Sequence, residues 1–223
     1  MRESPQDITI PIRSASLYGM LALPPGATGI VVFAHGSGSS RFSPRNHEVA
    51  AALQQAGFAT LLFDLLTESE EAVDRRTRQH RFDIPLLGER LIAATDWLSD
   101  QAATGEMNIG YFGASTGAAA ALIAAADRPN VHAVVSRGGR PDLAGEALGR
   151  VRSPTLLIVG ELDTAVIEMN TRAKAKLGGP SEMVIVPGAT HLFEEPGTME
   201  QVTKHAEGWF QRYLASGEQM ASE

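Results

Sequence analysis

Met107-Asn108-Ile109-Gly110-Tyr111-Phe112-Gly113-Ala114-Ser115-Thr116-Gly117 runs directly into an alanine-rich stretch that continues to Ala126. The first six residues read as a short buried strand, and the alanines after Gly117 read as a helix. A serine between strand and helix, with glycine two residues to either side, is the pattern of a nucleophile elbow. The glycines have a physical purpose. The serine backbone must adopt a strained conformation, and a side chain at either flank would collide with the adjoining strand or helix. The hydroxyl is then lifted clear, beside a helix N-terminus whose dipole favours developing negative charge.

Working outward, short apolar runs alternate with helical segments. Residues 30–34, 59–63, 107–112, 131–136, 155–159 and 182–186 are predicted strands, rich in Val, Ile, Leu and Phe. Between and after them, helices are predicted over 46–56, 82–100, 118–126, 164–177 and 196–215, with a short one over 142–148 capped by Asp142. Residues 8–12 and 16–23 alternate apolar and polar and read as an antiparallel pair at the sheet edge. The expected fold is α/β, a doubly wound and mostly parallel sheet with antiparallel N-terminal strands and no large lid domain. At 223 residues the chain is expected to be one such domain, 1–223. The charged stretch 65–81 is the one sizeable candidate cover. Glu71 with Arg75, and Asp74 with Arg78, stand at favourable i,i+4 spacing, and Arg75, Arg76, Arg78 and Arg81 read as a solvated, salt-bridged face. Trp97 and Trp209 are expected to pack on their helices, and Met107 and Met183 to be core.

In open parallel sheets the functional loops lie beyond the carboxyl ends of the strands, so chemistry is expected just after residues 34, 112, 159 and 186. Ser115 follows 112. A serine hydroxyl is a poor nucleophile until a base takes its proton, and His191 follows 186 in Pro187-Gly188-Ala189-Thr190-His191. Asp163 follows 159 and is placed to orient the imidazole and stabilise its charged form, with Glu161 as the alternative acid. The order Ser, Asp, His is the one this architecture uses. After residue 34 comes His35-Gly36-Ser37-Gly38, whose Ser37 N–H, together with the N–H of Thr116, would form an oxyanion hole. His35 itself reads as a brace for that loop. Arg41, Arg137 and Arg140 are expected near the site mouth; Arg41 and Arg137 could bind a substrate carboxylate, or all three could hold loop carbonyls or Asp142.

Composition limits the alternatives. A net charge of −7 argues against nucleic acid and anionic membrane as partners. The chain has no cysteine, so disulfides, thiolate metal sites and a cysteine nucleophile are excluded. The polar start, Met1 to Asp7, has no apolar segment of signal-peptide type, and no apolar run reaches membrane-spanning length. A cytoplasmic location is expected.

His35-Gly36-Ser37-Gly38, Gly113-Ala114-Ser115-Thr116-Gly117, Gly160-Glu161-Leu162-Asp163 and Gly188-Ala189-Thr190-His191 together resemble the α/β-hydrolase superfamily. Within it the chain is similar to the small dienelactone hydrolase-like branch, from about residue 8 to 215. Dienelactone hydrolases proper use a cysteine nucleophile, whereas position 115 here is serine. The resemblance therefore implies a carboxylic ester or lactone as small-molecule substrate and a two-step acyl transfer needing no metal or cofactor. An amidase, thioesterase, acyltransferase or perhydrolase would use the same triad, and a non-catalytic binding protein on this fold is the reading from a different class. The chain is expected to act as a monomer or homodimer.

Overall fold

A computed structural model describes residues 4–13 and 15–215. Eight strands form one sheet: β1 (Gln6–Ile12), β2 (Ala15–Ala22), β3 (Gly29–Ala34), β4 (Ala59–Phe63), β5 (Asn108–Ala114), β6 (Val131–Arg137), β7 (Thr155–Gly160) and β8 (Ser181–Val186), in the order β1-β2-β4-β3-β5-β6-β7-β8. β1–β2 and β2–β4 pair antiparallel, and every later pair is parallel. The six described helices are α1 (Pro44–Gln55), α2 (Glu68–Thr77), α3 (Ile84–Ser99), α4 (Thr116–Asp127), α5 (Thr164–Lys174) and α6 (Thr198–Leu214). The expected doubly wound α/β fold is the one observed, with no large extra domain.

The continuous apolar runs are explained by helices on both faces of the sheet. In β3, Ile30, Val32 and Ala34 join a core with Leu87, Leu91 and Leu98 of α3 and the alanines of α4. Val31 and Phe33 point the other way, into a core with Val49 and Leu53 of α1 and Trp209 and Phe210 of α6. Strand side chains alternate faces, so only an all-apolar strand can serve two layers at once. The alanines of α4 let that helix lie close to the sheet. One polar pair is fully buried between α3 and β5, where Tyr111 Oη and Thr95 Oγ1 are 2.5 Å apart and Thr95 also donates to the Leu91 carbonyl. Trp97 packs against the first core and Trp209 lies in the second.

Three local expectations change. Residues 141–150 form a 3-10 segment broken at Gly145, where φ is 55°, and Asp142 lies inside it rather than at its cap. Met107 and Met183 are half-buried; the latter sits on β8, which among the described residues pairs only with β7 at the edge of the sheet. The stretch 65–81 is not a solvated face throughout. α2 starts with a capping box, in which Thr67 accepts the Glu70 N–H and Glu70 accepts the Thr67 N–H. Glu70 is then tied to Arg90 of α3 at 2.6 Å.

The tight passage of β5 into α4 rests on its glycines. A Cβ on Gly113 would lie 2.5 Å from Ala118 Cα, and one on Gly117 would run into the Ala34 carbonyl oxygen. Both obstacles are backbone and cannot move aside as a side chain tip could. Gly117→Ala is therefore expected to cost about 3 kcal/mol, the upper range for overpacking, read as a lowered urea midpoint with unchanged slope.

Candidate active site

Ser115 stands at φ 51°, ψ −122°, a region that non-glycine residues rarely occupy and that costs about 1–3 kcal/mol. Three backbone hydrogen bonds hold it there. Its N–H donates to the Arg137 carbonyl (3.2 Å), and its own carbonyl accepts from Ala118 (3.1 Å) and Arg140 (3.0 Å). A serine before a helix ordinarily turns its hydroxyl back to cap the first turn. Here it makes no such bond. The hydroxyl opens instead into a cleft of about 230 Å³ whose lining includes Gly36, Ser37, Ser115, Arg137 and His191.

Asp163 precedes α5 without capping it through its side chain. The carboxylate instead meets His191, with Oδ2 2.6 Å from Nδ1. With Nδ1–H donating to the carboxylate, Nε2 is left as an acceptor, and His191 lines the cleft. Glu161 is committed elsewhere: it accepts the Gly188 N–H at 2.8 Å and so fixes the turn ahead of His191. Glu195, which sequence reasoning missed, secures the same loop from its far end. It accepts both the N–H and the hydroxyl of Thr190 (3.0 and 2.6 Å), and these bonds hold its carboxyl below the usual range. The spacing Thr190–Glu195 had no recognisable periodicity to reveal it.

The loop after β3 passes against the serine, since a Cβ on Gly36 would lie 3.1 Å from Ser115 Cβ. Neither the Ser37 N–H nor the Thr116 N–H donates to a protein acceptor among the described residues. The loop is held from behind by the segment that follows β4. His35 donates from Nδ1 to the Gly36 carbonyl (3.0 Å) and accepts the Leu65 N–H at Nε2 (3.1 Å). Both ring nitrogens are occupied, and burial pushes the imidazole below its ordinary value, so His35 is a neutral brace. Arg41 pairs with Asp64, which also accepts the Arg41 N–H at 2.7 Å. The Arg41 side chain therefore lies in a neighbouring cleft with Tyr18 and Phe42, apart from the lining of the Ser115 cleft. Arg140 is engaged by both carboxylate oxygens of Asp142 (2.9 and 2.8 Å). Arg137 lies in the Ser115 cleft, 7% exposed.

Arg81 extends the brace. Its Nε donates to Asp74 at 2.6 Å, and Asp74 accepts the His80 and Arg81 N–H groups as well. The guanidinium reaches Gly38 of the loop, where a Cβ would stand 3.2 Å from Nη1. The expected Asp74–Arg78 pair is replaced by Asp74–Arg81, because Arg78 turns left-handed at φ 59° and ends α2. A chain reversal, invisible to i,i+4 counting, returns Arg81 to the buried acid.

Fold and site together define an α/β hydrolase. The family model for the dienelactone hydrolase family matches residues 17–216, and the chain belongs to that family. A dienelactone hydrolase from Anabaena variabilis is 57% identical, with a TM-score of 0.92 over 95% of this chain and all of that one. Est1E from Butyrivibrio proteoclasticus shares the fold at 17% identity, with a TM-score of 0.78 over 94% of this chain and 99% of that one. Among curated proteins, a putative phosphoribosyl transferase of Mycobacterium tuberculosis is 58% identical over 210 residues, covering 94% of this chain and 46% of that protein. The chain thus spans about half the length of these curated relatives.

Asp74 is 1% exposed, and removing one partner of a buried ion pair leaves the other uncompensated. Asp74→Ala is expected to cost about 3 kcal/mol at neutral pH. Burial alone would raise the Asp74 carboxyl, but the Arg81 N–H, the Arg81 side chain and the His80 N–H outweigh it and lower it. A depressed carboxyl contributes fully above its unfolded value of about 3.9 and loses that contribution as pH falls through the lower folded value. Urea titrations of wild type and variant should therefore converge in acid and separate toward neutrality.

Proposed function

We propose that the protein is a serine hydrolase that cleaves small carboxylic esters or lactones through an acyl-enzyme. The observation that carries this reading is the 2.6 Å contact between Asp163 and His191, in the same cleft as a strained serine whose hydroxyl caps nothing. Ser115 is the nucleophile, His191 the base and Asp163 the residue that orients it. Backbone N–H groups of Ser37 and Thr116 receive the oxyanion.

In the first step Ser115 Oγ bonds to the substrate carbonyl carbon while His191 Nε2 takes its proton. Negative charge moves to the carbonyl oxygen, where two N–H donors and the α4 N-terminus oppose it; each such donor is worth about 3–4 kcal/mol of barrier. Collapse breaks the ester C–O bond, and His191 returns the proton to the departing alcohol. Water, deprotonated by His191, then attacks the acyl-serine and releases the acid and Ser115. Asp163 matters because the imidazolium formed midway is stabilised by a carboxylate already in place.

The reading treats 1–223 as one hydrolase unit acting in the cytoplasm. No described helix is long and apolar enough to cross a membrane. The phosphoribosyl transferase name belongs to proteins of which this chain matches 46%, and the reading is assigned to the hydrolase-family stretch, 17–216.

A fluorophosphonate probe is expected to label wild type and to leave Ser115→Ala unlabelled. Ester turnover should fall about 10³-fold or more in Ser115→Ala, His191→Ala and Asp163→Asn, in line with losses seen when members of such a unit are removed. Undiminished turnover by folded Ser115→Ala would remove the nucleophile assignment.

A further inference from the structure

Arg137 is the exception among the buried charges. Asp74 has Arg81, but Arg137 has no carboxylate within ion-pair distance among the described residues, and its buried Nε has no partner. Burial lowers the guanidinium to about 10, and the positive charge of Arg45 acts in the same direction. Arg128 and Arg140 shift the other way, because an aspartate holds each. A buried cation beside another cation needs an anion from somewhere.

The cleft supplies further donors and no acid. The first turn of α1 forms part of its wall through Ser43, Arg45 and Asn46, and that turn contains no acidic residue. The Asn46 side chain is 2% exposed, and its buried Oδ1 has no hydrogen-bond partner. Exchanging the amide oxygen and nitrogen would turn an NH₂ where the oxygen now stands. Arg45 meets Glu194 at 3.1 Å near the surface, where Glu194 is largely solvated. Two guanidiniums, the N-terminus of α1, whose Asn46 N–H is already capped by Ser43 Oγ, and the Ser37 hydroxyl thus surround a space shared with Ser115 and His191.

We propose that this cleft receives a phosphate monoester group carried by the ester substrate, held by Arg137, Arg45 and the first turn of α1. The proposal rests on the acyl-transfer reading and narrows its substrate. A phosphate monoester brings close to two negative charges and three acceptor oxygens at neutral pH, matching two cations and several dispersed donors. A carboxylate brings one charge and a planar pair of oxygens, which one guanidinium satisfies. The N-terminus of α1 adds favourable field for the more highly charged group.

The test compares three acetate esters that differ only in the para group: 4-acetoxyphenyl phosphate, 4-acetoxybenzoate and 4-acetoxybenzamide. Wild type should show kcat/KM highest for the phosphate, at least tenfold above the amide, with the benzoate between. Arg137→Met should collapse the phosphate-to-amide ratio by tenfold or more, Arg45→Gln by a smaller factor, and Arg137→Lys should retain part of it. Inorganic phosphate should bind Ser115→Ala in calorimetry, and more weakly when Arg45→Gln is added. A wild-type ratio near one, or a ratio unmoved in the folded arginine variants, overturns the proposal; a benzoate faster than the phosphate overturns the phosphate assignment. If Arg137→Met does not fold, Arg45→Gln and Arg137→Lys decide by the same ratio. Turnover of the neutral amide ester, dependent on Ser115, tests the hydrolase reading by itself, and phosphate binding to Ser115→Ala tests the anion site without any chemistry.

Discussion

The first turn of α4 lies directly on the carbonyl oxygens of Ala34 and His35, and only glycine at 117 permits that approach. This close passage forces Ser115 into its left-handed conformation at φ 51° and brings the loop after β3 against it. Strain of about 1–3 kcal/mol persists because the surrounding structure over-determines it. The Arg137 carbonyl holds the serine N–H, while Ala118 and Arg140 hold its carbonyl. The same geometry keeps the hydroxyl from capping α4. Loop position and serine orientation thus both bear on one packing constraint.

Around that fixed point the polar groups divide into those already satisfied and those left open. His35, Arg41 and Arg81 are all satisfied, by Leu65, Asp64 and Asp74 respectively, and all three secure residues 35–41 from the side away from the cleft. Within the stretch 65–81, Leu65 braces that loop through His35, and Asp74 holds Arg81 beside Gly38. Ser115 Oγ, the N–H groups of Ser37 and Thr116, and the Arg137 Nε are unpartnered among the described residues. In a folded protein, buried polar groups are nearly always paired. The buried Arg137 Nε and Asn46 Oδ1 are not, and both residues line the one cleft, a place where a ligand completes the hydrogen bonding.

Much of the architecture was legible because it depends on local patterns. Strands buried on both faces must be continuously apolar, as in Ile30 to Ala34, and the Gly113–Gly117 spacing fits one strand-to-helix passage. The rule that loops at the carboxyl ends of parallel strands converge then points to residues after 34, 112, 159 and 186 without coordinates. What was misread lay where the partner comes from a chain reversal. Asp74 and Arg78 have ideal helical spacing, yet Arg78 ends the helix and Arg81 returns to take the acid. Arg41 sits in the loop beside the serine, yet Asp64 turns it away.

The sequence alone determined the alternation of strands and helices, the glycine-flanked serine, and the acid and imidazole stationed after successive strands. Each depends on residue type and spacing along the chain. Which of Asp163 and Glu161 meets His191, which arginines are neutralised and which one is buried without a counter-ion among the described residues were decided only by the tertiary structure. Those outcomes depend on distances between segments far apart in sequence, and a charged side chain's role is set by whichever opposite charge the fold brings within about 4 Å.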